Sequence, residues 1–148
     1  MNESVKNSCG NTPATYKYEN ASGQRFFVFG YDSYRTNAHL VCADYIVDYN
    51  RQAQLIEAVE WLSGKPLVAK SFKNPFLYIT TYRDEKDGSV AVGLFNSFVD
   101  GIYDCEIELG ENYSEIKFVN ASGELKGNKV KLTGEIPPYG FAAFELKK

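Results

Sequence analysis

From Leu67 onward the apolar residues tend to fall on every second position, and this period restricts the fold more than any other feature of the chain. Only an extended strand sends successive side chains to opposite faces, so such a segment must bury one sheet face and wet the other. Tyr103, Cys105, Ile107 and Leu109 alternate with Asp104, Glu106 and Glu108, which gives one apolar face and one acidic face. Leu77–Arg83 and Val90–Asn96 read as two more strands, and the charged turn between them, ending in Asp87-Gly88, should join them as a hairpin. Ile116 and Phe118, then Val130 and Leu132, repeat the half-buried signature. A last strand runs from Phe141 to Leu146, read as an edge strand fed by the Pro137-Pro138-Tyr139-Gly140 turn. Six or so short strands joined by turns predict an antiparallel sandwich.

The first half is patterned differently. Residues 1–14 are polar and read as a disordered tail. Tyr16 and Tyr18 alternate with polar neighbours, Asn20-Ala21-Ser22-Gly23 supplies turn chemistry, and Arg25-Phe26-Phe27-Val28-Phe29 follows. This predicts a hairpin whose second strand, apolar at successive positions, is covered on both faces like a central strand of an α/β layer. Residues 35–49 are open between a short helix and an extended excursion. Asn50 is a candidate N-cap for a helix over 51–62, where Leu55, Ile56, Val59 and Leu62 recur at helical spacing. Gly64 and Pro66 end it. Packing those four residues on the strand at 25–29 predicts that Val59→Asp unfolds the segment. The fold class is α+β, mainly β. The expected organisation is a tail (1–14), an α/β segment (15–70) and a sandwich (71–148). The tetrapeptide Asn-Ala-Ser-Gly recurs at 120–123 and reads as repeated turn chemistry, not an internal repeat.

Charge and cysteine usage exclude several function classes. With 16 Lys and Arg against 19 Asp and Glu the chain is acidic, and a phosphate-backbone partner requires clustered cations, so nucleic acid is not an expected partner. The start carries no basic region followed by an apolar stretch, and no run reaches the length of a bilayer span, so no membrane partner is expected and the default location is the cytoplasm. Cys9, Cys42 and Cys105 form no close pair and read as free thiols, Cys105 as a small buried hydrophobe. No metal site and no cofactor are expected: His39 is the single histidine, and the glycines form no phosphate cradle.

Glycoside hydrolysis needs two carboxyl groups facing across about 5–10 Å, one of them with a raised pKa. Glu106 and Glu108 share a strand face, but it is the solvated one, with lysines near enough in sequence to neutralise it. His39 and Cys42 are the only residues from which a small stand-alone enzyme could be built, and no nucleophile elbow accompanies them. Tyr31, Tyr34, Arg35, Tyr45 and Tyr49 gather aromatic and polar groups outside the strands, a composition suited to a sugar's apolar face and hydroxyl rim. The plainer reading of the same tyrosines is packing at an inter-layer or inter-domain seam, where one end is buried and the other wet.

FFVFGYDSY (26–34) and NRQAQLIEAVEWLSGKPL (50–67) together resemble the last strand and last helix of the glutamine-amidotransferase-like domain of some multidomain bacterial glycoside hydrolases. In those proteins a small β-sandwich follows. GSVAVGLFNSFVDGIYDCEIEL (88–109) and the closing IPPYGFAAFELKK (136–148) are similar to that sandwich. The resemblance spans roughly residues 25–148, and the stretch 35–49 is longer than the corresponding connection. It implies a non-catalytic accessory domain of a carbohydrate-active protein, because in such enzymes the acid and nucleophile lie in an upstream barrel; no catalytic residue carries over. The implied partners are that upstream catalytic domain or a second copy of the chain, with carbohydrate a further candidate. Since one helix cannot cover both sides of Phe26 to Phe29, a homodimer through the region 16–49 is expected.

Overall fold

The computed structural model describes residues 15–30 and 49–148. The chain divides into two compact units, Met1–Pro66 and Leu67–Lys148. Expectations for residues 1–14 and for most of 35–49 lie outside the described residues.

In the first unit, β1 (Thr15–Glu19) and β2 (Arg25–Phe29) form an antiparallel hairpin in the register Thr15 opposite Phe29. Asn20 Oδ1 closes the turn by accepting from the N–H groups of Ser22 (3.0 Å) and Gln24 (2.9 Å). Helix α1 spans Tyr49–Ser63, so Asn50 lies inside the first turn and is not the N-cap that its side chain suggests. Gly64 ends the helix in the left-handed conformation (φ 71°), its N–H bonded to the Glu60 carbonyl at 3.0 Å.

Two expectations for this unit are corrected. Among the described residues β2 pairs with β1 alone and belongs to a two-stranded hairpin, and Phe27, Val28 and Phe29 are half-buried where the sequence pattern predicts cover on both faces. Helix α1 does pack on β2, but not through Leu55, Val59 and Leu62 of its apolar stripe, whereas Ile56 is half-buried. Trp61 Nε1 donates to the Phe26 carbonyl (3.2 Å), Arg25 Nη1 donates to the Trp61 carbonyl (3.2 Å), and Lys17 pairs with Glu57 (2.7 Å). Lys17 and Arg25 each stand 5.1 Å from the centre of the Trp61 ring. These contacts fix the rotation of the helix, burying Ala58 and leaving Leu55, Val59 and Leu62 about half exposed. Val59→Asp therefore has little packing to destroy.

The second unit is an antiparallel sandwich of two four-stranded sheets. One sheet has the order β3 (Ala69–Lys70), β7 (Glu106–Leu109), β10 (Lys129–Thr133), β9 (Ser122–Lys126). The other has the order β4 (Leu77–Arg83), β5 (Val90–Asn96), β12 (Phe141–Lys147), β8 (Glu115–Phe118). Short strands β6 (Ile102–Tyr103) and β11 (Glu135–Ile136) pair separately. Inward residues of both sheets merge into one core: Val90, Val92, Leu94, Phe144 and Leu146 meet Ile107, Leu109, Val130 and Leu132. The β4–β5 hairpin has the bounds that its sequence predicts.

Three further readings change in detail. β12 lies between β5 and β8 and is an interior strand, because both its edges are paired. Tyr103 is 64% exposed and does not share the buried face of Cys105, Ile107 and Leu109, since Asp104 (φ 49°) interrupts the strand between β6 and β7. The second Asn-Ala-Ser-Gly is not a hairpin turn but the passage from β8 in one sheet to β9 in the other. Asn120 clamps it to β12, donating from Nδ2 to the Phe141 carbonyl (2.7 Å) and accepting at Oδ1 from the Ala143 N–H (2.8 Å). Gly123 must lack a Cβ there, because one would stand 2.3 Å from the Lys131 carbonyl oxygen.

Candidate functional site

Strand alternation gives the sheet β4-β5-β12-β8 a second face, opposite the core, and its composition is unusual for a wetted surface. The register places Tyr78, Phe95 and Phe141 in one row across three strands. They are 68%, 41% and 53% exposed. The adjacent row is Thr80, Gly93 and Ala143, and the next is Tyr82, Ala91, Glu145 and Lys117. Aromatic rings thus flank a floor of small side chains, and over Gly93, Ala91 and Ala143 lies a trough of about 410 Å³ walled by Phe141, Tyr82 and Val119; Tyr78 and Phe95 stand on the same face outside it.

Gly93 makes the trough possible. A Cβ at that position would stand 2.7 Å from Thr80 Oγ1 and 3.1 Å from Phe141 Cε2, so the phenyl ring of Phe141 reaches across the glycine. An aromatic ring covering a glycine on a neighbouring strand restores the side-chain contact that the glycine lacks. Charge on this face is balanced: Glu145 stands opposite Lys117 in the register and forms an ion pair with Lys147 at 3.7 Å.

Several carboxylates elsewhere in the sandwich are bonded by cations or a backbone N–H. Glu106 is bonded by Lys129 (3.2 Å) with Lys73 behind it (3.9 Å), and Lys129 foremost keeps its carboxyl below the ordinary range. Glu108 pairs with Lys70 at 3.4 Å. Glu111, bonded by Lys148 (2.5 Å) and Arg83 (2.6 Å), is likewise lowered, and the Ser89 N–H lowers Asp87. Glu106, Glu111 and Asp87 are thus held away from the role of proton donor near neutrality. Cys105 is fully buried, and desolvation pushes its thiol up to about 12, which makes it an inert packing residue.

Of the residues that the sequence nominates for sugar contact, Tyr31, Tyr34, Arg35 and Tyr45 lie outside the described residues, and Tyr49 is described only as the first residue of α1. His39 and Cys42 also lie outside them. Among the described residues no group of His, Cys, Asp and Glu could hold a metal ion, and no helix is long and apolar enough to cross a membrane. The trough is not legible in the sequence, because its exposed rings, Tyr82 and Phe141, lie on two strands far apart in the chain. The signal that marks it is an aromatic residue at the outward position of each strand, where alternation calls for a polar one.

No family model matches the chain, and no curated protein matches it. Among solved structures the chain is similar to α-L-fucosidase isoenzyme 2 from Paenibacillus thiaminolyticus, with a TM-score of 0.54 and 9% identity. The likeness covers 93% of this chain and 22% of that enzyme. At this identity it shows the fold alone, and the chain spans about a fifth of the enzyme's length.

Proposed function

We propose that the chain is a non-catalytic accessory domain of a carbohydrate-active, glycoside-hydrolase-like protein. The observation that carries this reading is the structural likeness itself: 93% of the chain takes the fold of a minor part, 22%, of an α-L-fucosidase. The state of the carboxylates supports the non-catalytic half. A glycosidase needs one acid with a raised pKa, whereas Glu106, Glu111 and Asp87 are held low by lysines, an arginine and a backbone N–H. The partner in this reading is a catalytic domain, as the resemblance to the end of a glutamine-amidotransferase-like region implies. The contact falls on the hairpin and helix, where Tyr16, Tyr18, Phe26, Leu55, Val59 and Leu62 are exposed.

The test is to assay the purified full chain against 4-nitrophenyl glycosides, the α-L-fucoside among them. The expected result is no turnover above buffer. Hydrolysis that is lost on substituting a single carboxylate, His39 or Cys42 overturns the reading and makes the chain an enzyme. Light scattering tests the partner: a monomer agrees with a catalytic-domain contact, and a dimer broken by Leu62→Asp assigns the surface to a second copy.

A further inference from the structure

We infer that the trough on the outer face of the sheet β4-β5-β12-β8 is a binding site for a neutral oligosaccharide. A pyranose ring presents one face of C–H groups and a rim of hydroxyls, and so suits an aromatic surface beside a few hydrogen-bonding groups. The trough offers that combination. Phe141 and Tyr82 supply exposed rings on either side of the Gly93 floor, and the Thr80 hydroxyl and the Glu145 carboxylate lie on the same face. Tyr78 lies outside the trough on the same face, four positions from Tyr82 on β4 and about 13 Å away at the rise of an antiparallel strand, so a ligand that extends from the trough to it has more than one sugar ring.

The other occupants fit less well. A volume of about 410 Å³ lies within the range of small-ligand sites. A phosphorylated or nucleotide ligand needs clustered cations, and here Lys117 faces Glu145. A peptide added as a strand would pair with an edge, β4 or β8, and not lie in the trough, because the floor strands β5 and β12 are paired on both sides.

This inference deepens the accessory-domain reading, and the two fail separately. The full chain is titrated calorimetrically with cellohexaose, xylohexaose, mannohexaose and maltohexaose. At least one hexasaccharide is expected to bind, with Phe141→Ala and Tyr82→Ala each weakening it roughly tenfold, the value of one stacked ring. Since Phe141 also covers Gly93, Phe141→Leu is the paired variant: it keeps the apolar cover and the melting temperature, and should still lose the affinity. Absence of binding by all four sugars, binding that none of the three variants weakens, or a dimer abolished by Tyr82→Ala overturns the inference and leaves the accessory reading in place. Cleavage of a sugar during the titration sinks the non-catalytic reading and leaves the site.

Discussion

Phe141 and Phe144 are the same residue type on the same strand, yet the sheet puts them to opposite uses. Phe144 is 1% exposed and meets Phe118 edge-on, with ring centres 6.0 Å apart, inside the core. Phe141 points the other way and lies half exposed over Gly93. The comparison extends to the whole sheet: the inward face of Val90, Val92, Leu94 and Leu146 is fully buried, while the outward face sets rings around small residues. A hydrophobic ring that contributes little to stability is free to serve as contact surface, and period two separates the two roles along one strand.

The largest effect should come from the inward face at its polar end. Asn96 is fully buried, and its Nδ2 lies within hydrogen-bond distance of the carbonyl oxygens of Asp100 (2.8 Å), Ile136 and Pro137 (both 3.1 Å). Asn96→Asp turns an unneutralised carboxylate toward three acceptors and should cost about 3–5 kcal/mol in urea unfolding. A loss below about 1 kcal/mol would show that this end of the sandwich is not held by the asparagine.

Next comes the crossing between the two sheets. Gly123→Val forces a Cβ against the Lys131 carbonyl and should cost about 1–3 kcal/mol, read from the same unfolding curves. A neutral result would mean that β9 shifts freely on β10.

Outside the sandwich the contrast predicts a small effect. Val59 is 48% exposed on α1, so Val59→Asp should change stability by about 0.5 kcal/mol or less. A cooperative loss of helical circular dichroism in this variant would show that the stripe is covered in solution.

The smallest effect is ionic. Glu111 has a carboxyl lowered chiefly by Lys148 and then by Arg83. A group whose folded pKa is depressed gives stability that is present above its unfolded value, near 4.5, and that is lost as pH falls through the lower folded value. Glu111→Gln should therefore flatten slightly the fall of melting temperature below pH 4.5, by no more than an exposed ion pair contributes. Parallel pH profiles for the two proteins would remove the trio from the account.

What could be read from the sequence follows the range of the interactions. The β4–β5 hairpin is fixed by alternation and a local turn, both visible within its own residues. The position of β12 is not, because its neighbours β5 and β8 are distant in the chain and nothing local distinguishes an interior strand from an edge. β9, Ser122–Lys126, carries one large apolar residue, Leu125, too few to show a period. The rotation of α1 depends on Trp61, Arg25 and Lys17, polar and cation–π contacts that a count of apolar spacing passes over. The trough is hidden for a related reason: a search for aromatic residues close in sequence finds the tyrosines of 31–49, whereas Tyr82 and Phe141 are brought to one trough only by the pairing of β4 and β12 with β5.

The division of labour on β12 is tested most directly by urea unfolding of Phe144→Ala beside Phe141→Ala in the full chain. Phe144→Ala should lose about 3–5 kcal/mol, the cost of emptying a packed aromatic site. Phe141→Ala should lose about 1 kcal/mol or less, the worth of a cross-strand contact on an open face. Equal losses in the two variants would make the outward ring a part of the core and contradict the account.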